Sequence, residues 1–359
     1  MKPVAEFAIR HVQVLDPAGQ PVTDLPAFAR IPEEMTRMYR MMVLARTFDT
    51  KAINLQRTGK LGTYPSCLGH EATHVAAGAA LRPEDCIAPV YREIGTQYWR
   101  GVRMVETLTY WGGDERGNDF AGPRHDFPWS VPIASQTLHA AGAAMAFKIR
   151  KEPRCALAYV GDGGTSEGAF YEAINLAGAR QLPVVFLVVN NRWAISVPIE
   201  QQTACATLAQ KAIAAGIPGV QVDGNDVIAV RQVLEEALAR GRDGGGPTVV
   251  EALTYRLSDH TTADDASRYR PEAELKAAWQ IEPFVRTRAF LTATCGWTPA
   301  QEEALKQECS QQVEAAVQEF LSLQRQPSDA MFDHVFAHQP VRLTVQKALA
   351  RRYSGAGSH

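Results

Sequence analysis

Residues 155–196 read CALAYVGDGGTSEGAFYEAINLAGARQLPVVFLVVNNRWAIS, and they decide the fold. Cys155 to Val160 is a short apolar run, and Pro183 to Val189 is nearly continuous in Val, Leu and Phe. Runs of this kind suit strands covered on both faces. Ser166 to Arg180, between them, has helical spacing. Strand, helix, strand in this form belongs in a parallel sheet with helices on both sides.

The same alternation continues on either side. Downstream, Gly219 to Val222 reads as a strand, Val227 to Arg240 as a helix and Thr248 to Arg256 as a strand. Upstream, Glu71 to Leu81 is small and apolar like a buried helix, and Cys86 to Val90 is a short strand followed by Tyr91-Arg92-Glu93. Met35, Met38, Met42, Ala45, Phe48, Ala52 and Leu55 recur at intervals of three or four, which predicts a helix from Pro32 to near Gly59. The fold class is therefore α/β, a doubly wound parallel sheet with helices on both faces. Residues 1–31 read as an N-terminal arm, 32–290 as the α/β domain and 291–359 as a C-terminal helical extension rich in Glu, Gln and Ala. A loop rich in Gly, Asp and Pro, from Gly112 to Pro132, is long enough to expect at the border of a site. No repeat of solenoid type is present.

Composition excludes several classes of function. The 359 residues carry 37 basic and 39 acidic side chains, with no run of Lys or Arg to neutralise nucleic-acid phosphates. The six cysteines contain no CxxC pair, and the N-terminus has no apolar signal block. No apolar stretch reaches membrane-spanning length. The expectation is a reduced, cytoplasmic protein without a membrane partner.

The segment from Gly161 to Gly168, GDGGTSEG, leaves the C-terminal end of a central strand and opens a helix. Open parallel sheets bind ligands at that edge, and free N–H groups at a helix start suit anionic oxygens. Glycines let the backbone come close to a phosphate, while Asp162 is a hard oxygen donor suited to Mg²⁺. Asn191 follows 29 residues after Asp162, at the end of the next strand. Asp162, the Asn191 side-chain oxygen and a carbonyl near Trp193 would then share one octahedral cation. A GDGG alone is as readily a plain tight turn. The NN pair on this β-α-β frame tips the reading to a phosphate and metal site.

The run from Gly161 to Ser196 resembles the thiamine-diphosphate motif, GDG followed about thirty residues later by NN, in the form found in α subunits of 2-oxo acid dehydrogenases. GKLGTYPSCLGHEA from Gly59, LAQKAIAAGIPGVQVDGNDVIAV from Leu208 and GPTVVEALTYRLSDHTTADDASRYR from Gly246 resemble the same family. The likeness covers roughly residues 30 to 290. It implies the thiamine-diphosphate-binding fold, thiamine diphosphate and Mg²⁺ as cofactors, and Asp162, Asn191 and the Trp193 carbonyl as metal ligands. By the same resemblance Tyr91, Arg92 and His260 contact the diphosphate, and Gly161, Gly163 and Gly164 give it backbone contacts. In SVPIASQ, Val131 and Ile133 border the cofactor. Ile133 matches the wedge that bends it, though a plain core residue would look the same. In some members a K⁺ site would correspond to Ser130, Pro132, Ser135 and Gln136.

His260 matches the family's catalytic histidine, which assists acyl transfer to lipoamide, with Arg268, Tyr269 and Arg270 ordering its loop. Thr261 stands where animal relatives carry a regulatory phosphoserine. The implied partners are a β subunit, in an assembly of two α and two β chains, and a lipoyl-bearing acyltransferase. The β subunit would supply the pyrimidine-binding half and its glutamate.

Ala169 to Ala177 and Leu208 to Val222 look more like pyruvate dehydrogenases, whereas SVPIASQ and SDHTTADD look like branched-chain 2-oxo acid dehydrogenases. Pyruvate is the substrate adopted, with the branched-chain acid as the alternative and a pocket expected from Phe120 to Trp129 together with the β chain. A non-catalytic scaffold subunit would have lost some of Asp162, Asn191, Arg92 and His260, and all are present. A GxxxxGK[ST] or GxGxxG motif is absent, against a kinase or dinucleotide enzyme. Cys67, Cys86 and Cys155 read as buried apolar side chains. His70 and His74, one helical turn apart without a third ligand at a zinc-like spacing, read as structural or subunit-contact residues.

Overall fold

The apolar runs become a six-stranded sheet in the computed structural model, which describes residues 2–354. Its strands are β1 (Arg10–Val12), β2 (Cys86–Ala88), β3 (Ala156–Gly161), β4 (Val184–Asn190), β7 (Gly219–Asp223) and β8 (Thr248–Leu253); β5 (Trp193–Ala194) and β6 (Val197–Pro198) form a separate antiparallel pair. The sheet order is β1-β7-β8-β4-β3-β2, and every neighbouring pair is parallel. The helices are α1 (Pro32–Arg57), α2 (Glu71–Ala80), α3 (Ile94–Arg100), α4 (Met104–Trp111), α5 (Ser135–Arg150), α6 (Gly168–Arg180), α7 (Ile199–Gln202), α8 (Lys211–Ala214), α9 (Val227–Arg242), α10 (Glu272–Gln280), α11 (Pro283–Cys295), α12 (Pro299–Ser322) and α13 (Val341–Tyr353).

Period-two alternation along the strands divides the core into two layers. Val185, Leu187 and Val189 of β4 join Leu157 and Tyr159 of β3 in a core with α1, α2 and α9. Val184, Phe186 and Val188 face the opposite side with Ala156, Ala158 and Val160, against α5 and α6. Both faces are thus dry, which is why these strands read as unbroken apolar runs.

By packing, the chain divides into two compact units, Met1–Ala316 and Val317–His359. That division falls inside α12, whereas the sequence pattern changes near residue 290. In the first unit α11 and the start of α12 lie on α1, where Tyr39 donates to Glu302 and Arg40 pairs with Glu308. Residues 10–12 add an edge strand to the sheet, and Val14, Leu15, Phe28 and Ala29 are buried. In the second unit Arg351 pairs with Asp329 and Lys347 with Asp333, tying α13 to the segment before it.

Two elements differ at their ends from the sequence expectation. The helix expected from Ser166 begins at Gly168, after a 3₁₀ turn over Gly163–Ser166. The strand expected to run to Arg256 ends at Leu253, and the chain then turns so that the Arg256 guanidinium lies inside the protein. The long loop covers the free edge of β2 and the chain just beyond it: Phe127 N–H donates to Ile87 O at 2.9 Å and Ser130 N–H to Val90 O at 2.9 Å.

Candidate active site

In register, Gly161 sits beside Val189 and Asn190 beside Leu253, so β3, β4 and β8 end along one edge. The loops leaving these strands enclose a cavity of about 560 Å³. Its walls include each residue expected to contact the cofactor or its metal: Tyr91, Arg92, Val131, Ile133, Gly161, Asp162, Gly163, Gly164, Asn191, Trp193 and His260. Thr261 lines it too.

Asp162 is 2% exposed, and burial pushes its carboxyl above the usual carboxylate range, opposed by a hydrogen bond from Gln202 Nε2 to Oδ2 at 2.9 Å. The turn after it is held by Thr165, whose hydroxyl donates to Asp162 O at 2.7 Å, and by Lys211 Nζ, which donates to Thr165 O at 2.8 Å. No side chain fits at the two following positions. A Cβ on Gly163 would lie 2.6 Å from Ala194 Cβ, and one on Gly164 would lie 2.6 Å from Val160 Cγ2.

The asparagine pair divides its work. Asn190 turns to the sheet, donating to Glu251 Oε1 at 2.8 Å, while Asn191 faces the cavity and its Oδ1 accepts from Trp193 N–H at 3.1 Å. The chain then makes a sharp corner, with Arg192 at φ +70° and Ile195 at φ +55°. Non-glycine residues in the left-handed region are costly, and here they aim the Trp193 segment back at Asp162.

Two guanidiniums approach His260 Nδ1, Arg256 Nη1 at 3.2 Å and Arg92 Nη2 at 3.3 Å. Guanidinium groups only donate, so Nδ1 is the acceptor and Nε2 carries the proton. Burial, with the two arginines, pushes the His260 pKa down to about 3 and keeps the ring neutral. Its loop is tied by His260 N–H to Asp264 Oδ2 at 3.0 Å, by Arg256 Nη2 to Tyr269 Oη at 3.0 Å and by Arg270 Nη1 to Ser258 O at 3.0 Å. Tyr91 stands edge-on to the imidazole at 6.3 Å.

Arg256 was not anticipated as a site residue. The only sign in the sequence is an arginine directly after a buried strand, where a solvated side chain would be ordinary. Like Arg92 it is buried, and among the described residues neither has a carboxylate within ion-pair distance; both bond carbonyls, Arg256 to Ile195 O at 2.8 Å and Arg92 to His260 O at 3.0 Å. Two buried cations without counterions are costly unless an anion joins them. Gln202, which bonds Asp162, and Glu93 and His70, which line the cavity, were also not read as site residues.

The expected substrate-pocket segment behaves differently. Phe120 and Trp129 form a small core with Val102, and Trp129 Nε1 donates to Gln97 Oε1 at 2.7 Å. Trp111 reaches the cavity instead. Ser130 and Ser135 hydroxyls meet at 2.6 Å, and Gln136 Nε2 donates to Tyr159 O at 2.7 Å. Cys67, Cys86 and Cys155 are buried free thiols, and burial pushes all three upward, Cys86 to about 12.

His70 and His74 are buried with rings 5.6 Å apart. Burial holds both neutral, His74 with a pKa down to about 3 and His70 well below the usual imidazole range. The unfolded chain takes up these protons below about pH 6.5 while the folded chain does not. Stability should therefore fall as pH drops from about 6.5 towards 3, by up to ~1.4 kcal/mol per pH unit for each ring. Melting temperatures between pH 6.5 and 5 are expected to show a shallower slope in His74→Phe than in the parent. Equal slopes would refute the assignment.

The chain matches the family model described as dehydrogenase E1 component over residues 39–327. It is 45% identical over 296 residues to the 3-methyl-2-oxobutanoate dehydrogenase subunit alpha of Mycobacterium tuberculosis (strain ATCC 25618 / H37Rv), covering 82% of this chain and 81% of that protein. It is 38% identical over 337 residues to the pyruvate dehydrogenase E1 component subunit alpha of Staphylococcus aureus (strain COL), covering 93% and 91% respectively.

Proposed function

The chain belongs to the dehydrogenase E1 component family, and on that premise we propose that it is the α subunit of a thiamine-diphosphate-dependent pyruvate dehydrogenase (acetyl-transferring). One observation carries this reading. Asp162, the Gly163-Gly164 backbone, Asn191 and two carboxylate-free guanidiniums surround a single cavity or stand directly behind its wall. That donor set fits a diphosphate with a divalent cation. The cations meet the phosphate charge, the glycine turn leaves no room for a side chain, and Asp162 and Asn191 present hard oxygen donors.

In this reading Asp162, Asn191 and the Trp193 carbonyl hold Mg²⁺; Tyr91, Arg92 and His260 contact the diphosphate; and Gly161, Gly163 and Gly164 approach it through the backbone. Val131 and Ile133 support the cofactor rings. When bound, thiamine diphosphate supplies the carbon nucleophile that adds to the 2-oxo group and the ring that takes up the electron pair as CO₂ leaves. His260 contributes a neutral imidazole whose Nε2–H is free to donate, held in that tautomer by the donors at Nδ1. Ser130, Pro132, Ser135 and Gln136 remain the candidate K⁺ ligands, and residues 32–290 the proposed cofactor-binding domain, with 1–31 as arm and 291–359 as extension.

The cavity is open on the side of Val131, Ile133 and Ile195, which are 48%, 47% and 53% exposed. Large apolar side chains at a cavity mouth support cover by another chain. We assign that cover to the β subunit of an assembly of two α and two β chains, with a lipoyl-bearing acyltransferase receiving the acyl group. No helix among the described residues is long and apolar enough to cross a membrane, and the cytoplasm is the proposed location.

Pyruvate is supported by the Ala169–Ala177 and Leu208–Val222 segments and by the longer match to the staphylococcal subunit. The second reading, 3-methyl-2-oxobutanoate, is supported by the higher identity to the mycobacterial one. The chain co-expressed with its β subunit, supplied with thiamine diphosphate and Mg²⁺, should decarboxylate pyruvate with at least about tenfold higher kcat/KM than the branched acid, a difference of ~1.4 kcal/mol. The reverse ratio would move the assignment to the branched-chain enzyme.

A further inference from the structure

One buried imidazole faces the cavity without a part in the proposed metal and diphosphate contacts. His70 lies in a turn, Cys67 to Glu71, that is tied to its surroundings at several points. Asp49 accepts from Tyr64 Oη at 3.0 Å, Ser66 Oγ at 2.5 Å and Cys67 N–H at 2.7 Å. Gly69 has φ +96°, and a Cβ there would lie 2.1 Å from Tyr255 O. Its N–H donates to Glu71 Oε2 at 2.9 Å, and Glu71 in turn pairs with Arg46 at 2.7 Å. Arg92 adds a bond to Ser66 O. These bonds fix the backbone that carries the His70 ring.

That ring is 1% exposed and lines the cavity, yet among the described residues neither Nδ1 nor Nε2 has a hydrogen-bond partner. A neutral imidazole carries one donor and one acceptor, and leaving either unmet when buried costs about 1–3 kcal/mol. His74, whose nitrogens likewise lack partners among the described residues, lies behind His70 and packs edge-on against Tyr159 at 6.1 Å. Arg92 and Arg256, the guanidiniums that make the cavity attractive to anions, also lie close enough to oppose protonation of His70. It therefore meets an anion as a neutral N–H donor.

We propose that His70 is a further contact of the anion held in this cavity, donating a ring N–H to an anionic oxygen of the cofactor diphosphate or of the 2-oxo acid carboxylate. This rests on the reading of the cavity as an anion site given above. The experiment uses the complex with its β subunit and compares the parent with His70→Leu and His70→Gln. It measures Kd for Mg²⁺-thiamine diphosphate, Kd for inorganic pyrophosphate with Mg²⁺, and KM and kcat for pyruvate. His70→Leu should weaken one class of ligand about tenfold, with kcat moving less, and His70→Gln, which keeps an N–H donor, should restore most of the loss.

A raised Kd for both diphosphates places the contact on the cofactor, whereas a raised KM with both Kd values unchanged places it on the substrate. Constants within twofold of the parent in a folded His70→Leu complex overturn the proposal. So does a leucine variant that outperforms glutamine, since that marks a packing role. If His70→Leu fails to fold, His70→Glu replaces it, and anion binding equal to that of His70→Gln overturns the proposal just as well. A parent complex that binds pyrophosphate in a His70-dependent way but ignores thiamine diphosphate would refute the proposed function and leave this contact standing.

Discussion

Asp162→Ala is expected to abolish turnover, lowering kcat/KM by more than roughly 10²-fold, while the protein without cofactor melts no lower than the parent. Outer-shell partners of metal ligands alone typically cost 10- to 100-fold, so loss of a ligand itself should exceed that range. The stability side follows from burial. The carboxyl is almost fully desolvated, which raises its pKa, and Gln202 is its side-chain partner among the described residues. A group held in an unfavourable state for function relaxes when it is removed. Calorimetric titration with Mg²⁺ and thiamine diphosphate should show binding in the parent and none in the variant. Turnover within tenfold of the parent would remove Asp162 from the metal site.

The second large effect lies away from the cavity. Asp226→Ala should cost roughly 3–5 kcal/mol, because one buried carboxylate serves two segments at once. Oδ1 caps α9, accepting from Ile228 N–H at 3.0 Å and Ala229 N–H at 3.1 Å. Oδ2 accepts from Val14 N–H at 2.8 Å and Leu15 N–H at 2.6 Å, fastening the N-terminal segment just past β1. Alanine would leave four donors without this acceptor, two of them on a segment whose strand lies at the sheet edge. Urea unfolding should show the lost stability, and limited trypsin digestion should cut faster at Arg10. An unchanged midpoint with unchanged cleavage would mean that water replaces the carboxylate without loss.

Asp226 also shows how far the sequence could be read. Asp before VIAV is a legible helix start, since a cap acts on residues two and three positions away. Its other two partners lie 212 and 211 residues earlier, and no local pattern joins them. The same holds at the cavity. GDGG and NN were legible because each acts at the end of its own strand, and the helix between them sets the strands side by side. Arg92 and His260, 168 residues apart, were paired in expectation by resemblance alone.

What the sequence determined by itself was the class of fold and the identity of the polar residues at the sheet edge. Strands dry on both faces must be apolar along their whole length, and a turn packed as closely as Gly163-Gly164 must lack side chains; both demands are written into neighbouring residues. Only the tertiary structure decided the strand order, the edge strand at residues 10–12, the inward turn of Arg256 and the burial of the His70 imidazole at the cavity wall. Those depend on which distant segments meet when the sheet is assembled. Burial converts an ordinary arginine or histidine into a group that needs a partner, and burial belongs to the packed whole.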